Sequence, residues 1–429
     1  MSLGLASLRG MRDLYPEDMR LREYIFAGWR KVVEQYGYEE YMAPMLEPLE
    51  MYAAKSGEEI VNEQTYAFSD RGERKVAIRP EMTPSVTRMV AARRQDMPLP
   101  IRLYSIANFM RYERPQHGRE REFWQLNFDL FGEPGIAGDT EIIHMAHDIV
   151  KEFGATDDMF TIKVNDRRLT NYIMSNYLGL NAEQGGRMIK LLDRFDKLPR
   201  ETFDELAKEI IGSNESAVDK LAAILKVDTI DDLPAEIKSS DALAPVREVL
   251  NNLRKLGVNN AKYDIRLMRG FDYYTGVVFE VFDEAPENRR AMFGGGRYDG
   301  LVAMFGVETL PVVGAAPGET MFGEFLRAHQ LVPELSTNVS VYLLPMTDNL
   351  LLEAENYASE LRKLGVNVAV DATERKLDKR IKAGIKHGAK YMVFVGEAEV
   401  AAGKLQLKNV ATGDQEQLTV SEIAQRVNS

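Results

Sequence analysis

The chain reads as an α+β protein with a further α/β domain at its C-terminal end. Short apolar runs with apolar/polar alternation, separated by turn residues, dominate the N-terminal part and imply a largely antiparallel sheet flanked by helices. Between about Leu169 and Gly257, leucine and isoleucine recur at helical spacing before strand-like runs resume, which implies a helical module inserted into the sheet domain. Beyond Asn338, strand and helix patterns alternate, the pattern of a compact α/β domain with a mostly parallel sheet.

In chain order, Ile25, Trp29, Val32 and Val33 recur at three and four residues and predict a helix over Leu21–Tyr36, which Gly37 ends. Tyr38–Pro44 reads as a strand running into a proline turn. Further strands are expected at Lys75–Ile78, Ile101–Ile106, Glu122–Phe131, Phe160–Val164, Tyr263–Arg269, Gly276–Phe282 and Val312–Ala316, with helices at Thr83–Arg94 and Asp139–Phe153. Within the inserted module the clearest helical segments are Met188–Leu192, Leu206–Ile211 and Leu221–Leu225. The expected boundaries are a first domain over residues 1–326 with its insertion at about 170–258, a linker at 327–337 and a C-terminal domain at 338–429.

The 429 residues allow two or three domains, and 45% apolar with 28% charged residues is ordinary globular usage. No run of about 18 apolar residues exists, so no membrane span or membrane partner is expected. The N-terminal residues lack the apolar core and cleavage site of a secretion signal. Zero cysteines remove disulfides, thiolate zinc sites and cysteine nucleophiles, which suits a cytoplasmic protein. Net charge is −12, yet Arg375, Lys376, Lys379, Arg380, Lys382, Lys386 and Lys390 cluster around the single acid Asp378. A local cationic patch thus sits within an acidic chain, and reads either as a nucleic-acid contact or as a solvated helix face.

The densest constellation is FMRYERPQHGREREFWQLNFDLFG, Phe109–Gly132, with Arg111, Arg114, Arg119 and Arg121 around a turn between two strand-like runs. Arginines on such a hairpin offer planar, bidentate donors to phosphate and carboxylate oxygens. Gln125 and Asp129 share a face by strand alternation, and an inward carboxylate suits an ammonium group. The same stretch also reads as a solvated charged hairpin. In RLMRGFDYYTGVVFE, Arg266–Glu280, an arginine and paired phenols fit either a polar ligand or a buried ion pair beside core aromatics. GGGRYDGL, Gly294–Leu301, permits close backbone approach to a ligand or a strand bulge, and matches neither standard phosphate loop. RPEMTPS, Arg79–Ser85, reads as a helix start with Glu81 placed just outside it. The histidines at 117, 144, 147, 329 and 387 have no metal-ligand spacing, and no metal site is expected.

Together with GMRDLYP, these segments resemble the histidyl-tRNA synthetase family of class II aminoacyl-tRNA synthetases, and the resemblance spans essentially the whole chain. It implies a class II antiparallel-sheet catalytic domain with a helical insertion and an α/β anticodon-binding domain. It further implies that ATP and L-histidine form histidyl-adenylate, whose histidyl group passes to histidine tRNA, with Mg2+ carried on the ATP phosphates. The resemblance makes Arg111 and Arg269 the catalytic pair at the α-phosphate, with Glu113, Arg119 and Arg121 as further ATP contacts. Glu81, Thr83, Arg111, Gln125, Asp129, Arg269, Tyr273 and Tyr274 become the histidine contacts. Many members carry Glu where this chain has Asp129. Arg114 and Gln116 would reach the tRNA acceptor end, and Arg375, Lys379 and Lys382 the tRNA backbone. A homodimer is implied, with the Tyr38–Pro44 region at its interface.

The segment PVVGAAPGETMFGEFL resembles class II motif 3, but Met321 stands where many members have a nucleotide-contacting arginine. An alternative reading is a catalytically inactive, histidine-binding regulatory paralogue of the kind that serves ATP phosphoribosyltransferase. Such proteins tend to lose the catalytic arginines and the C-terminal domain. This chain keeps Arg111, Arg119, Arg269 and that domain. A different class II synthetase conflicts with the Arg269–Gly276 signature.

Overall fold

Proline at the first helical position starts the helix Pro16–Gln35, where its missing N–H costs nothing, and Asp18 accepts a bond from the Tyr15 N–H at 3.1 Å. The periodic residues Leu21, Ile25, Trp29, Val32 and Val33 form its buried face. The computed structural model describes residues 4–53, 64–114, 116, 118–267, 273–288 and 290–429. These form two compact units, one ending at Val332 and the other running from Pro333 to Ser429.

The first unit is built on an eight-stranded sheet and a small three-stranded one. Its strands are β1 Glu39–Glu40, β2 Leu46–Pro48, β3 Ala67–Ser69, β4 Lys75–Ile78, β5 Ile101–Met110, β6 Glu122–Phe131, β7 Phe160–Asp166, β8 Ala261–Tyr263, β9 Val277–Asp283, β10 Ala291–Arg297 and β11 Val312–Ala315. The large sheet runs β1-β5-β6-β11-β10-β9-β7-β8, and β2-β4-β3 form the small one. Pairing in the large sheet is antiparallel except at its two edges, where β1 joins β5 and β8 joins β7 in parallel. The β5–β6 ladder runs unbroken from Ile101↔Phe131 to Met110↔Glu122 and therefore holds the arginine-bearing loop at its open end.

Three local expectations are corrected. The Tyr38–Pro44 strand shrinks to Glu39–Glu40 plus one further bond, Tyr41 N–H to Tyr104 O at 2.8 Å, and beyond it the Ala43 carbonyl accepts from Arg79 Nη1 at 2.8 Å instead of from a strand. The Tyr263–Arg269 run stops as a strand at Tyr263, since the Asp264 carboxylate accepts the Arg266 N–H at 2.9 Å and bends the chain into a turn. In GGGRYDGL the register shift lies between Ala291 and Phe293, ahead of the glycines; a β-carbon on Gly295 would collide with the Gly314 carbonyl, so this glycine lets β10 and β11 lie close together.

Between β7 and β8 every regular element is helical, from Arg167–Tyr172 to Ala244–Lys255. The apolar stripes noted in the sequence are its buried faces: Met188, Leu191 and Leu192, then Phe203, Ile210 and Ile211, then Leu221 and Ile224. Since β7 and β8 pair directly (Ile162↔Ala261), the module enters and leaves the sheet at one edge.

The second unit contains β12 Val341–Pro345, β13 Val368–Val370, β14 Tyr391–Val395, β15 Leu405–Asn409 and β16 Gln415–Leu418, in the order β13-β12-β14-β15-β16. Strands β13, β12 and β14 are parallel, as alternating strands and helices require, whereas β14, β15 and β16 are antiparallel. The expected mostly parallel sheet is therefore parallel on one half only. The polar β16 run, with an exposed Gln415–Gln417, gives little apolar signal, and its turn is closed by Asn409 accepting the Ala411 and Thr412 N–H groups.

Within the helix Leu377–Lys386, Gly384 is buried, and a β-carbon there would lie 2.7 Å from the Tyr342 ring and 2.9 Å from Met392 Cε. The Tyr342 hydroxyl donates to Asp371 at 2.9 Å, so the ring is not free to yield. Gly384→Ala is expected to lower the stability of this unit by about 1–3 kcal/mol through overpacking, despite the better helix propensity. Loss of hydrogen-exchange protection in β12 and β14 of the full chain would measure it; unchanged protection would refute it.

Candidate active site

Strand alternation turns Gln125, Asn127 and Asp129 of β6 to one side, where all three line a cavity of about 870 Å3, while Leu126, Phe128 and Leu130 are buried on the other. Other parts of its wall come from Glu81 and Thr83 at the start of the helix Thr83–Arg93, from Arg111, Glu113 and Arg119 beyond β5, and from Tyr273, Tyr274 and Tyr298.

One part of this wall is cationic and closely ordered. Arg111 donates through Nε to the Pro80 carbonyl at 2.9 Å, its guanidinium lies 5.2 Å from the Phe123 ring centroid, and Nη1 is 3.8 Å from Glu113. Glu113 in turn accepts from Arg119 Nη1 at 3.1 Å. Opposite charges thus fix the loop while leaving the arginine donors beside the cavity. Arg121 departs from the expected nucleotide contact. It is absent from the lining residues, donating instead to the Glu113 carbonyl at 3.2 Å and stacking 4.0 Å from the Tyr112 ring, so it braces the loop from behind. Arg114 is exposed and also outside the lining, whereas Gln116 is part of it.

Another part is a buried acid and phenol cage. Asp129, only 5% exposed, accepts a short hydrogen bond from the Tyr298 hydroxyl. Burial pushes its carboxyl up to about 7, against the opposing pull of Tyr298. Gly314 lies opposite Asp129 in the β6–β11 register, and a β-carbon there would collide with the Asp129 carboxylate. The glycine is what leaves room for the acid. The Tyr273 hydroxyl donates to Glu81 at 3.4 Å, and the rings of Tyr273, Tyr274 and Tyr298 pack with centroids 4.9 to 6.4 Å apart.

Arg269 lies outside the described residues. Every other expected amino-acid contact, namely Glu81, Thr83, Arg111, Gln125, Asp129, Tyr273 and Tyr274, lines the one cavity. In the second unit Arg375, Lys379 and Lys382 are exposed, Arg375 lying 3.4 Å from Asp371, whereas Arg380 is buried and donates to the Pro345 and Asp371 carbonyls. Sequence reasoning missed Asn127, although the alternation used for Gln125 and Asp129 contains it. It also missed Tyr298, whose partner lies far away in the chain, and the pair Lys163–Asp264 (2.9 Å), which the β7–β8 pairing brings together. Glu319, at the start of the helix Glu319–Ala328, accepts from Arg12 at 3.2 Å, and Arg12 also holds Glu120 at 2.9 Å. Among the described residues no group of three or more His, Asp or Glu side chains is arranged to hold a metal ion.

An antiparallel sheet carrying an arginine hairpin over a cleft, followed by a separate α/β unit, defines the class II aminoacyl-tRNA synthetase fold. The family model described as Histidyl-tRNA synthetase matches residues 10–317, and that of an Anticodon binding domain matches 340–429. A Histidine--tRNA ligase from Leptospira biflexa is 39% identical over 422 residues, covering 98% of this chain and 96% of that protein. The chloroplastic/mitochondrial Histidine--tRNA ligase of Arabidopsis thaliana is 34% identical over 97% of this chain and 85% of its own length. The crystal structure of histidyl-tRNA synthetase from Nostoc sp. PCC 7120 superposes with a TM-score of 0.83 at 24% identity, covering 100% of this chain and 99% of that one, and shows the shared fold. The chain belongs to the histidyl-tRNA synthetase family.

Proposed function

We propose that this protein is a histidine–tRNA ligase that activates L-histidine with ATP and passes the histidyl group to the 3′ end of histidine tRNA. The observation that carries this reading is a single cavity holding both an arginine wall and a buried acid-and-phenol cage. Histidine needs a group that accepts its imidazole N–H, and Asp129 with Tyr298 supplies one. Its ammonium suits the Glu81 carboxylate at the head of the Thr83–Arg93 helix, and Gln125 lies on the same strand face as Asp129. Arg111, fixed beside the cavity, suits both the carboxylate of histidine and the α-phosphate.

The nucleophile is already a carboxylate, so the protein needs no general base. Activation is in-line attack of that carboxylate oxygen on the α-phosphorus, and the bond to pyrophosphate breaks as the acyl–phosphate bond forms. Arg111 then contributes by positioning both reactants and by neutralising charge that builds on the α-phosphate oxygens, with Arg269 as its partner in that role. Mg2+ fits as a companion of the ATP phosphates, because Glu120 and Glu319 on the cavity wall are already held by Arg12.

The exposed Arg375, Lys379 and Lys382 suit the tRNA backbone, and Arg114 with Gln116 the acceptor end. A homodimer joined through the Tyr38–Pro44 region is consistent with the exposed Met42 there and the exposed Met45 and Leu46 just after it. Among the described residues no helix is long and apolar enough to cross a membrane, and the absence of cysteine suits the cytoplasm.

Purified protein is expected to catalyse ATP–pyrophosphate exchange only when histidine is present. Histidine binding without exchange would favour the regulatory paralogue instead. Retention of Arg111, Arg119 and the C-terminal α/β unit is what weighs against that reading.

A further inference from the structure

The segment that resembles class II motif 3 has Met321, an uncharged thioether, at the position where that resemblance implies a nucleotide-contacting arginine. Met321 lines the cavity and its sulfur lies against Gly118, so closely that a β-carbon on that glycine would collide with it. The side chain therefore caps the Gln116–Arg119 turn, whose ends are tied by reciprocal backbone bonds of 3.2 and 2.9 Å. Position 321 therefore brings no cation to this part of the cavity.

The other cations that line the cavity are mostly neutralised. Arg111 and Arg119 lie near Glu113, Lys163 and Arg266 share Asp264, and Lys197 is 3.5 Å from Asp193. Arg290 differs. It follows β9 on the approach to β10, is exposed, lines the same cavity, and donates through Nη2 to the uncharged Gln116 side-chain oxygen at 2.6 Å. Gln116 is in the very turn that Met321 covers. Among the described residues no carboxylate pairs with Arg290, so its full charge remains for an anion entering the cavity.

We infer that Arg290 supplies, from the β9–β10 connection, the nucleotide-phosphate cation that the Met321 position lacks. Resting on the ligase reading, this assigns Arg290 to the β- and γ-phosphates, the part of ATP that leaves as pyrophosphate. A guanidinium suits that task because its planar donors can hold two phosphate oxygens while one N–H keeps Gln116.

The test is ATP–pyrophosphate exchange on the full-length protein. Arg290→Ala is expected to raise the KM for ATP and for pyrophosphate by about tenfold or more, leaving the histidine KM within about twofold. Gln116→Ala removes the tether but keeps the cation, and should move the ATP KM much less. Adding Met321→Arg to Arg290→Ala should recover most of the lost ATP affinity. An unchanged ATP KM in Arg290→Ala would overturn the inference. So would equal effects of Arg290→Ala and Gln116→Ala, which would make Arg290 a loop tether only, or a double variant that recovers nothing. Absence of histidine-dependent exchange in the unaltered protein would instead sink the ligase reading, so the two failures are distinct.

Discussion

Arg111→Ala should lower the kcat/KM of histidine-dependent ATP–pyrophosphate exchange by about 10³-fold, with the far-ultraviolet dichroism unchanged. The size follows from how the side chain is held. Its Nε is committed to the Pro80 carbonyl at 2.9 Å and its plane is set 5.2 Å from the Phe123 ring, so the guanidinium is oriented before any ligand arrives. A donor that is already fixed pays no ordering entropy when charge develops opposite it. Because one group would meet both the amino acid and the α-phosphate, its loss should reduce kcat as well as raise both KM values. Arg111→Lys should recover only part of the loss, since an ammonium cannot hold Pro80 and two oxygens in one plane. A loss below about tenfold would show that Arg111 is not at the reacting centre.

The architecture was legible wherever a local period reported burial. Ile25, Trp29, Val32 and Val33 mark the buried face of the first helix because one stripe faces the core, and the β5–β6 hairpin shows as two alternating runs around a polar turn. Misreadings arose where local pattern and pairing diverge. Tyr263–Arg269 has strand-like composition, yet the Asp264 carboxylate captures the Arg266 N–H; β16 pairs through its backbone while exposing its side chains. At the site the same divide holds. Gln125 and Asp129 follow from period two, whereas Tyr298 meets Asp129, and Arg290 meets Gln116, only because β10 closes against the rest of the sheet. Arg121 shows the converse: the resemblance gives Arg119 and Arg121 the same nucleotide task, and only geometry separates a cavity-lining donor from a loop brace.

Asp129→Asn separates a binding acid from a structural one, because it should move activity and stability in opposite directions. The carboxyl sits at about 7 in the folded chain, raised by burial from an unfolded value of 3.8. Between those pH values the native state keeps a proton that the unfolded chain has released, so stability falls as pH rises through this window and stays lowered above it. The cost at neutral pH is on the order of 4 kcal/mol, and an uncharged amide of the same shape should recover part of it. Binding runs the other way. Asparagine keeps an acceptor but loses the charge, and its histidine KM should rise by about 10²-fold at pH 8. In the unaltered protein the histidine KM should also climb as pH falls below about 7, when Asp129 takes up its proton. Free histidine titrates in the same range for both proteins, so the ratio of the two KM values isolates Asp129, and it should shrink toward acid pH. Thermal unfolding at pH 8 then supplies the second reading. A variant that loses histidine affinity and gains thermal stability has given up a charge held for a ligand; one that loses both has lost a packing residue, and the cage assigned to the imidazole would be misplaced.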